Sequence, residues 1–193
     1  MILALADVKG GSKTPGMVKK VLDHRQNKRQ EAEPLWSALR AANSQVEQLL
    51  RDLQKHSVSS RGDSFARALQ VHAKLPAKQW SSMPSASKTA FSEALVKVYS
   101  TFETVRKLLR ELGSKAGVAI EPSEQTALLD KTMEVPGVLF AGVPGAGGYD
   151  AIFAIVLSSS ALAGVDTVWK AYTAQASATG SAALGPIARL GPP

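Results

Sequence analysis

The chain opens on an apolar run, Ile2 to Val8, broken only by Asp7 and without the basic flank of a signal peptide; it predicts a buried β-strand. Gly10-Gly11-Ser12-Lys13-Thr14-Pro15-Gly16 must then be a loop, with Thr14 as the expected cap of a helix over about 15–25 and Pro15 at its first position. Two long stripes follow. Leu35, Leu39, Ala42, Val46, Leu49 and Leu53 recur at steps of four and three, one face of a helix within 31–55. Phe91, Leu95, Val98, Phe102, Val105, Leu109 and Leu112 repeat the pattern, with Gly113 as the expected stop. Each stripe covers only about three heptads, so packing within the chain is expected rather than a coiled coil. Shorter helices are predicted at 64–75 and at 123–133, the second with Ser123 as its cap.

The last third changes character. VLFAGV (138–143) and AIFAIVL (151–157) are apolar runs on either side of a glycine-rich stretch and predict two adjacent buried strands. A membrane span is not expected, because Pro144, four glycines and Asp150 fall at the centre and neither half approaches ~20 apolar residues. A helix at about 165–176 and a short edge strand within 185–190 complete the pattern. The order is β-α-β-β-α-β, an α+β fold of ferredoxin-like type whose first helix is expanded into a helical insert at about 29–134.

Composition narrows the chemistry. The 193 residues contain no cysteine, which excludes disulfide scaffolds, thiolate metal sites and cysteine nucleophiles. The formal charge is +7, yet residues 135–188 carry only Asp150, Asp166 and Lys170 as charged side chains. An excess of Lys and Arg in the first two thirds suits an anionic partner: nucleic acid, membrane surface or a phosphorylated small molecule. A lysine-rich helical surface without a partner is the plain alternative.

Gly142-Val-Pro-Gly-Ala-Gly-Gly-Tyr-Asp150 is the most distinctive segment. It lacks the Gly-Lys-Ser/Thr of a P-loop, and a strand rather than a helix follows it, so it is no dinucleotide fingerprint. It is either a concavity of backbone N–H groups for an anion or a tight hairpin that needs glycine for its dihedrals. The segment from Gly10 to Lys20 offers hydroxyls and lysines at a helix start, which suits a phosphate or carboxylate, or is an ordinary capped helix with a solvated basic face. His24, His56 and His72 have no metal-ligand spacing and are expected at solvent-exposed or helix-end positions; no metal site is expected. Arg61-Gly62-Asp63 matches an adhesion tripeptide by chance, and the three tryptophans are expected to pack in the core or between helices.

Taken together, ALADVKGGSKTPGMVKKVL (4–22), Ala42-Asn43 and IEPSEQTALLDKTMEVPGVLFAGVPGAGGYDAIFAIVL (120–157) resemble the C-terminal half of the eukaryotic-type phosphomevalonate kinases, members of the GHMP kinase superfamily. The resemblance implies a GHMP kinase C-terminal domain over 1–193, and transfer of the ATP γ-phosphoryl group, with Mg2+, to 5-phosphomevalonate in isoprenoid and sterol synthesis. It implies a substrate and phosphate loop at Pro144, Gly145, Ala146, Gly147, Gly148 and Asp150, with Asp150 ordering the loop rather than acting as a base. It puts substrate contacts at Ser12, Thr14, Lys19 and Lys20. The family's Pro-x-x-x-Gly-Leu-Gly/Ser-Ser-Ser nucleotide loop is not in the 193 residues. The chain is therefore expected to be a fragment that needs the family's N-terminal kinase domain, to be inactive alone, and to be cytoplasmic; no catalytic residue is assigned. The competing reading is a non-catalytic basic helical module for nucleic acid or an acidic protein. Retention on a polyanion at ~50 mM salt separates the two.

Overall fold

The computed structural model describes residues 1–8, 13–59, 63–84, 89–178 and 188–190. In chain order these form β1 (Ile2–Asp7), α1 (Thr14–Asn27), α2 (Arg29–Ser59), α3 (Asp63–His72), a 3-10 helix (Ala77–Ser82), α4 (Ala90–Ala116), α5 (Ser123–Met133), β2 (Val138–Gly142), β3 (Ala151–Val156), α6 (Ser159–Ala178) and β4 (Ala188–Leu190). Most periodicities translate into elements within a few residues of their predicted bounds, but α6 begins six residues earlier than expected and the 3-10 helix was not expected. Ser12 and the Arg61-Gly62 pair lie outside the described residues.

Among the described residues the four strands form one antiparallel sheet in the order β2-β3-β1-β4. β3 thus separates β1 from β2, and the helices between those two strands form the crossover of a split βαβ unit. The fold is α+β, as the element order predicts. β1 and β3 pair along their whole length, from Ile2 opposite Val156 to Asp7 opposite Ala151. Period-two alternation sends Ala4, Ala6, Ile152, Ala154 and Val156 to one fully buried face. The buried Ala161, Val165 and Trp169 of α6 join the same core, with α6 packed on β1 and β3. The opposite face carries Phe140 and Phe153. Phe102 of α4 stacks on Phe140 at 4.2 Å and meets Phe153 edge-on at 5.8 Å. Leu3, on this face, is 56% exposed.

The two long stripes find each other: α2 packs along α4, which satisfies both apolar faces inside the chain. Three local expectations are corrected. Gly113 does not end α4; the helix runs on to Ala116 and closes on Gly117 at φ 65°. A Cβ at 113 would stand 2.5 Å from the Val118 carbonyl oxygen, so the glycine is there for space. Lys13 rather than Thr14 occupies the cap of α1, and Pro122 rather than Ser123 that of α5, in neither case with a side-chain cap bond. The histidines differ as well: His24 and His72 sit in the last turns of their helices, as allowed, but are buried. His72 places Nδ1 2.7 Å from the Ala68 carbonyl oxygen and meets the Trp80 ring edge-on.

Candidate functional site

The glycine-rich connection between β2 and β3 divides into two limbs. Pro144, Gly145 and Ala146 form an accessible tip, whereas Gly147 and Gly148 are buried. Gly145, Gly147 and Gly148 all adopt left-handed backbone, at φ 62°, 73° and 78°. Gly147 N–H donates to the Pro144 carbonyl at 3.1 Å, which closes the tip as a turn.

The buried limb is held from three directions. Gly148 N–H donates to the Ile120 carbonyl at 2.7 Å, and the Gln125 side-chain amide donates to the Gly148 carbonyl, also at 2.7 Å. The Tyr149 hydroxyl donates to Glu124 at 2.9 Å. Burial raises the Tyr149 phenol pKa and the bond to Glu124 adds to that; the Glu124 carboxyl is lowered, first by its backbone N–H at the start of α5 and then by Tyr149. Asp150 accepts the Thr14 hydroxyl at 2.9 Å on its carboxylate and the Val8 N–H at 2.8 Å on its backbone oxygen. Thr14 is the first residue of α1 rather than its cap, and its hydroxyl is the donor in the bond to Asp150. The bond ties the end of the loop to the start of α1 across 136 residues of sequence.

Of the residues singled out from the sequence, Thr14 and Asp150 are brought together, and Pro144, Gly145 and Ala146 stand at the accessible tip. Lys19 and Lys20 are exposed on α1. Lys20 lines a shallow cavity of about 390 Å³ with Lys28 and Lys115, and none of its lining residues belongs to the loop. The tip instead borders an apolar groove of about 260 Å³, walled by Met17 and Val21 of α1, Leu39 of α2, Leu112 of α4 and Ile120.

Sequence reasoning missed the support beneath the loop. Arg106, 2% exposed, makes a two-point contact with the fully buried Glu121 carboxylate at 2.7 and 3.1 Å, and it also reaches Asp130 at 2.9 Å and Glu103 at 3.1 Å. Arg110 and the Thr126 hydroxyl donate to the same Glu121 oxygen at 2.7 and 3.0 Å. Burial by itself pushes the Glu121 carboxyl up, but the hydrogen bonds and charge of Arg106, then of Arg110, outweigh it and hold the group below its ordinary value. For Arg106 burial pulls the other way, and the bond to Glu121 again wins and raises it. One signal was in the sequence: position 106 is a helical turn after Phe102, on the buried side of α4, where a charge requires a partner. Among the described residues no three His, Asp or Glu side chains gather as a metal site would require, and none of the described helices is long and apolar enough to cross a membrane.

Residues 91–174 match the family described as GHMP kinases C terminal. More particularly, the chain is similar to phosphomevalonate kinases. It is 39% identical over 152 residues to "Phosphomevalonate kinase, peroxisomal" of Arabidopsis thaliana, covering 78% of this chain and 30% of the relative. It is 32% identical over 157 residues to "Phosphomevalonate kinase" of Candida albicans, covering 81% and 31%. The chain thus spans about 30% of the length of the curated relatives it matches. The fold also matches the crystal structure of a Lin0012 protein from Listeria innocua, at a TM-score of 0.54 and 18% identity, over 98% of this chain and 38% of that one.

Proposed function

We propose that the chain is the substrate-side part of a phosphomevalonate kinase, which transfers a phosphoryl group from ATP to 5-phosphomevalonate. The single observation that carries this is the accessible tip Pro144–Ala146, presented beside an apolar groove and tied through Asp150 and Thr14 to the start of α1. Phosphoryl transfer asks a protein chiefly for positioning and charge stabilisation. The tip offers backbone to an anionic group at close range, the start of α1 lies beside it with its positive dipole end, and the apolar wall suits the carbon skeleton of the acceptor. Thr14 and Asp150 act here by fixing the loop to the helix. Lys19 and Lys20 contribute positive potential from the same helix.

The family's nucleotide loop is not in the sequence, and among the described residues no three His, Asp or Glu side chains gather around a common point. On this reading ATP and Mg2+ are both bound by a kinase domain that complements the substrate side. The chain alone is then expected to show no turnover with ATP, Mg2+ and 5-phosphomevalonate in a coupled assay, while calorimetry detects 5-phosphomevalonate binding. Ala146→Asp puts a like charge at the tip and is expected to weaken that binding at least tenfold. Binding unchanged in Ala146→Asp removes the tip from the site, and robust turnover by the chain alone removes the need for a second domain. A cytoplasmic location belongs to the same proposal, although the name of one relative places that protein in the peroxisome; imaging of a tagged chain decides between them.

A further inference from the structure

Gln125 is 0% exposed, and its two amide atoms have unequal fates. Nε2 donates to the Gly148 carbonyl at 2.7 Å, while Oε1 is buried with no hydrogen-bond partner among the described residues. Leaving a buried acceptor unpaired is unfavourable by about 1–3 kcal/mol, which offsets much of what the Nε2 bond to the Gly148 carbonyl contributes. What it does is local: together with the Ile120 carbonyl it holds both backbone polar groups of Gly148. Gly148 in turn follows Gly147, whose N–H closes the turn that carries Pro144–Ala146. Neighbouring Glu124 holds Tyr149, so the first turn of α5 grips two consecutive residues of the loop.

We propose that Gln125 is a positioning residue for the Pro144–Ala146 tip: it acts through the Gly148 carbonyl to hold the tip in its ligand-ready shape, and its unpaired oxygen is the stability given up for that role. The assignment rests on the tip being the substrate-facing part of the loop. It places a functional duty in the Glu-Pro-Ser-Glu-Gln segment at 121–125, away from the tip itself.

The test compares wild type with Gln125→Leu, which keeps the size, removes the donor and also removes the unpaired acceptor. Gln125→Met serves as a second variant, since a thioether has no proton to donate to the Gly148 carbonyl. Measurements on the full chain are thermal unfolding, amide hydrogen exchange, and calorimetric titration with 5-phosphomevalonate. For Gln125→Leu the expected result is a melting temperature within about 2 °C of wild type, at least tenfold faster exchange at Gly147 and Gly148, unchanged exchange at Ile152 and Ala154 in β3, and at least tenfold weaker binding. Loop exchange and binding that both stay at wild-type levels would overturn the proposal. So would a loss of protection that spreads equally into β3, because Gln125 would then be an ordinary core residue. If wild type does not bind 5-phosphomevalonate, the functional reading of the tip fails, while the exchange arm still decides whether Gln125 holds the loop. Gln125→Met is expected to reproduce the local exchange, and wild-type protection of Gly148 in that variant counts against the assigned hydrogen bond.

Discussion

Gly147→Ala is expected to destabilise the protein by about 4 kcal/mol, from roughly 1–3 kcal/mol of left-handed backbone strain plus a similar overpacking term. The strain arises because φ is 73° at this position. The overpacking arises because a Cβ there would collide with the Ile120 carbonyl oxygen and stand 2.8 Å from Ile120 Cγ2. Backbone on one side and a buried side chain on the other leave no soft neighbour to yield. For a chain of this length that loss lowers the melting temperature by roughly 10 °C. Gly145→Ala is the control. It has nearly the same φ, 62°, but nothing lies within 4 Å of its added carbon, so only the strain of about 1 kcal/mol is expected. If the two alanine variants melt within about 2 °C of each other, the close approach of Gly147 to Ile120 is not what the glycine is for. The contrast also bears on how a site role is tested: substitution at Gly147 disrupts the loop itself, and the exposed tip is the place to probe ligand contact.

The second large effect concerns Arg106. Its removal leaves the Glu121 carboxylate, fully buried, with Arg110 and the Thr126 hydroxyl as its remaining partners among the described residues. Breaking a buried ion pair on one side costs about 3–5 kcal/mol, because the abandoned charge remains desolvated. Arg106→Met, which keeps much of the length without the charge, is expected to fall in that range in denaturant unfolding; a loss under about 1 kcal/mol would show that the pair carries little. A pH dependence follows from the same contact. Glu121 is lowered in the folded state, so its contribution is complete above the ordinary carboxylate value of 4.5 and is lost as the pH falls through the lower, folded value. Stability should therefore decline on acidification below about pH 4.5, and Glu121→Gln should flatten that decline while lowering stability at neutral pH. An identical acid profile in wild type and Glu121→Gln would exclude Glu121 as a source of acid sensitivity.

Both effects converge on Ile120 and Glu121, consecutive residues in the connection from α4 to α5. Ile120 supplies the carbonyl that receives Gly148, and Glu121 anchors that connection to α4 through Arg106 and Arg110. The accessible tip therefore stands on a buried ion pair one peptide away from its own support. Loosening the pair is expected to reach the tip before it reaches the sheet.

Much of the framework was legible in the residues because it depends on local periodicity. Steps of three and four from Leu35 to Leu53 and from Phe91 to Leu112 define helix faces, and uninterrupted apolar runs at 138–143 and 151–157 define buried strands, whatever the rest of the chain does. The glycine-rich string between those runs marked the candidate site because glycine permits the left-handed backbone and close approach that such a loop uses. The tertiary structure alone decided which glycines face solvent and which are wedged under Ile120, that Gly113 makes room for Val118 rather than stopping a helix, and that Lys20 borders a different cavity from the loop. It also decided the partners of the polar side chains: Thr14 with Asp150, Arg106 with Glu121, Gln125 with Gly148. These bonds join positions 136, 15 and 23 residues apart, and burial makes each of them matter. A side chain's hydrogen-bonding capacity is written in its identity, but the group that meets it is chosen only when the chain has packed.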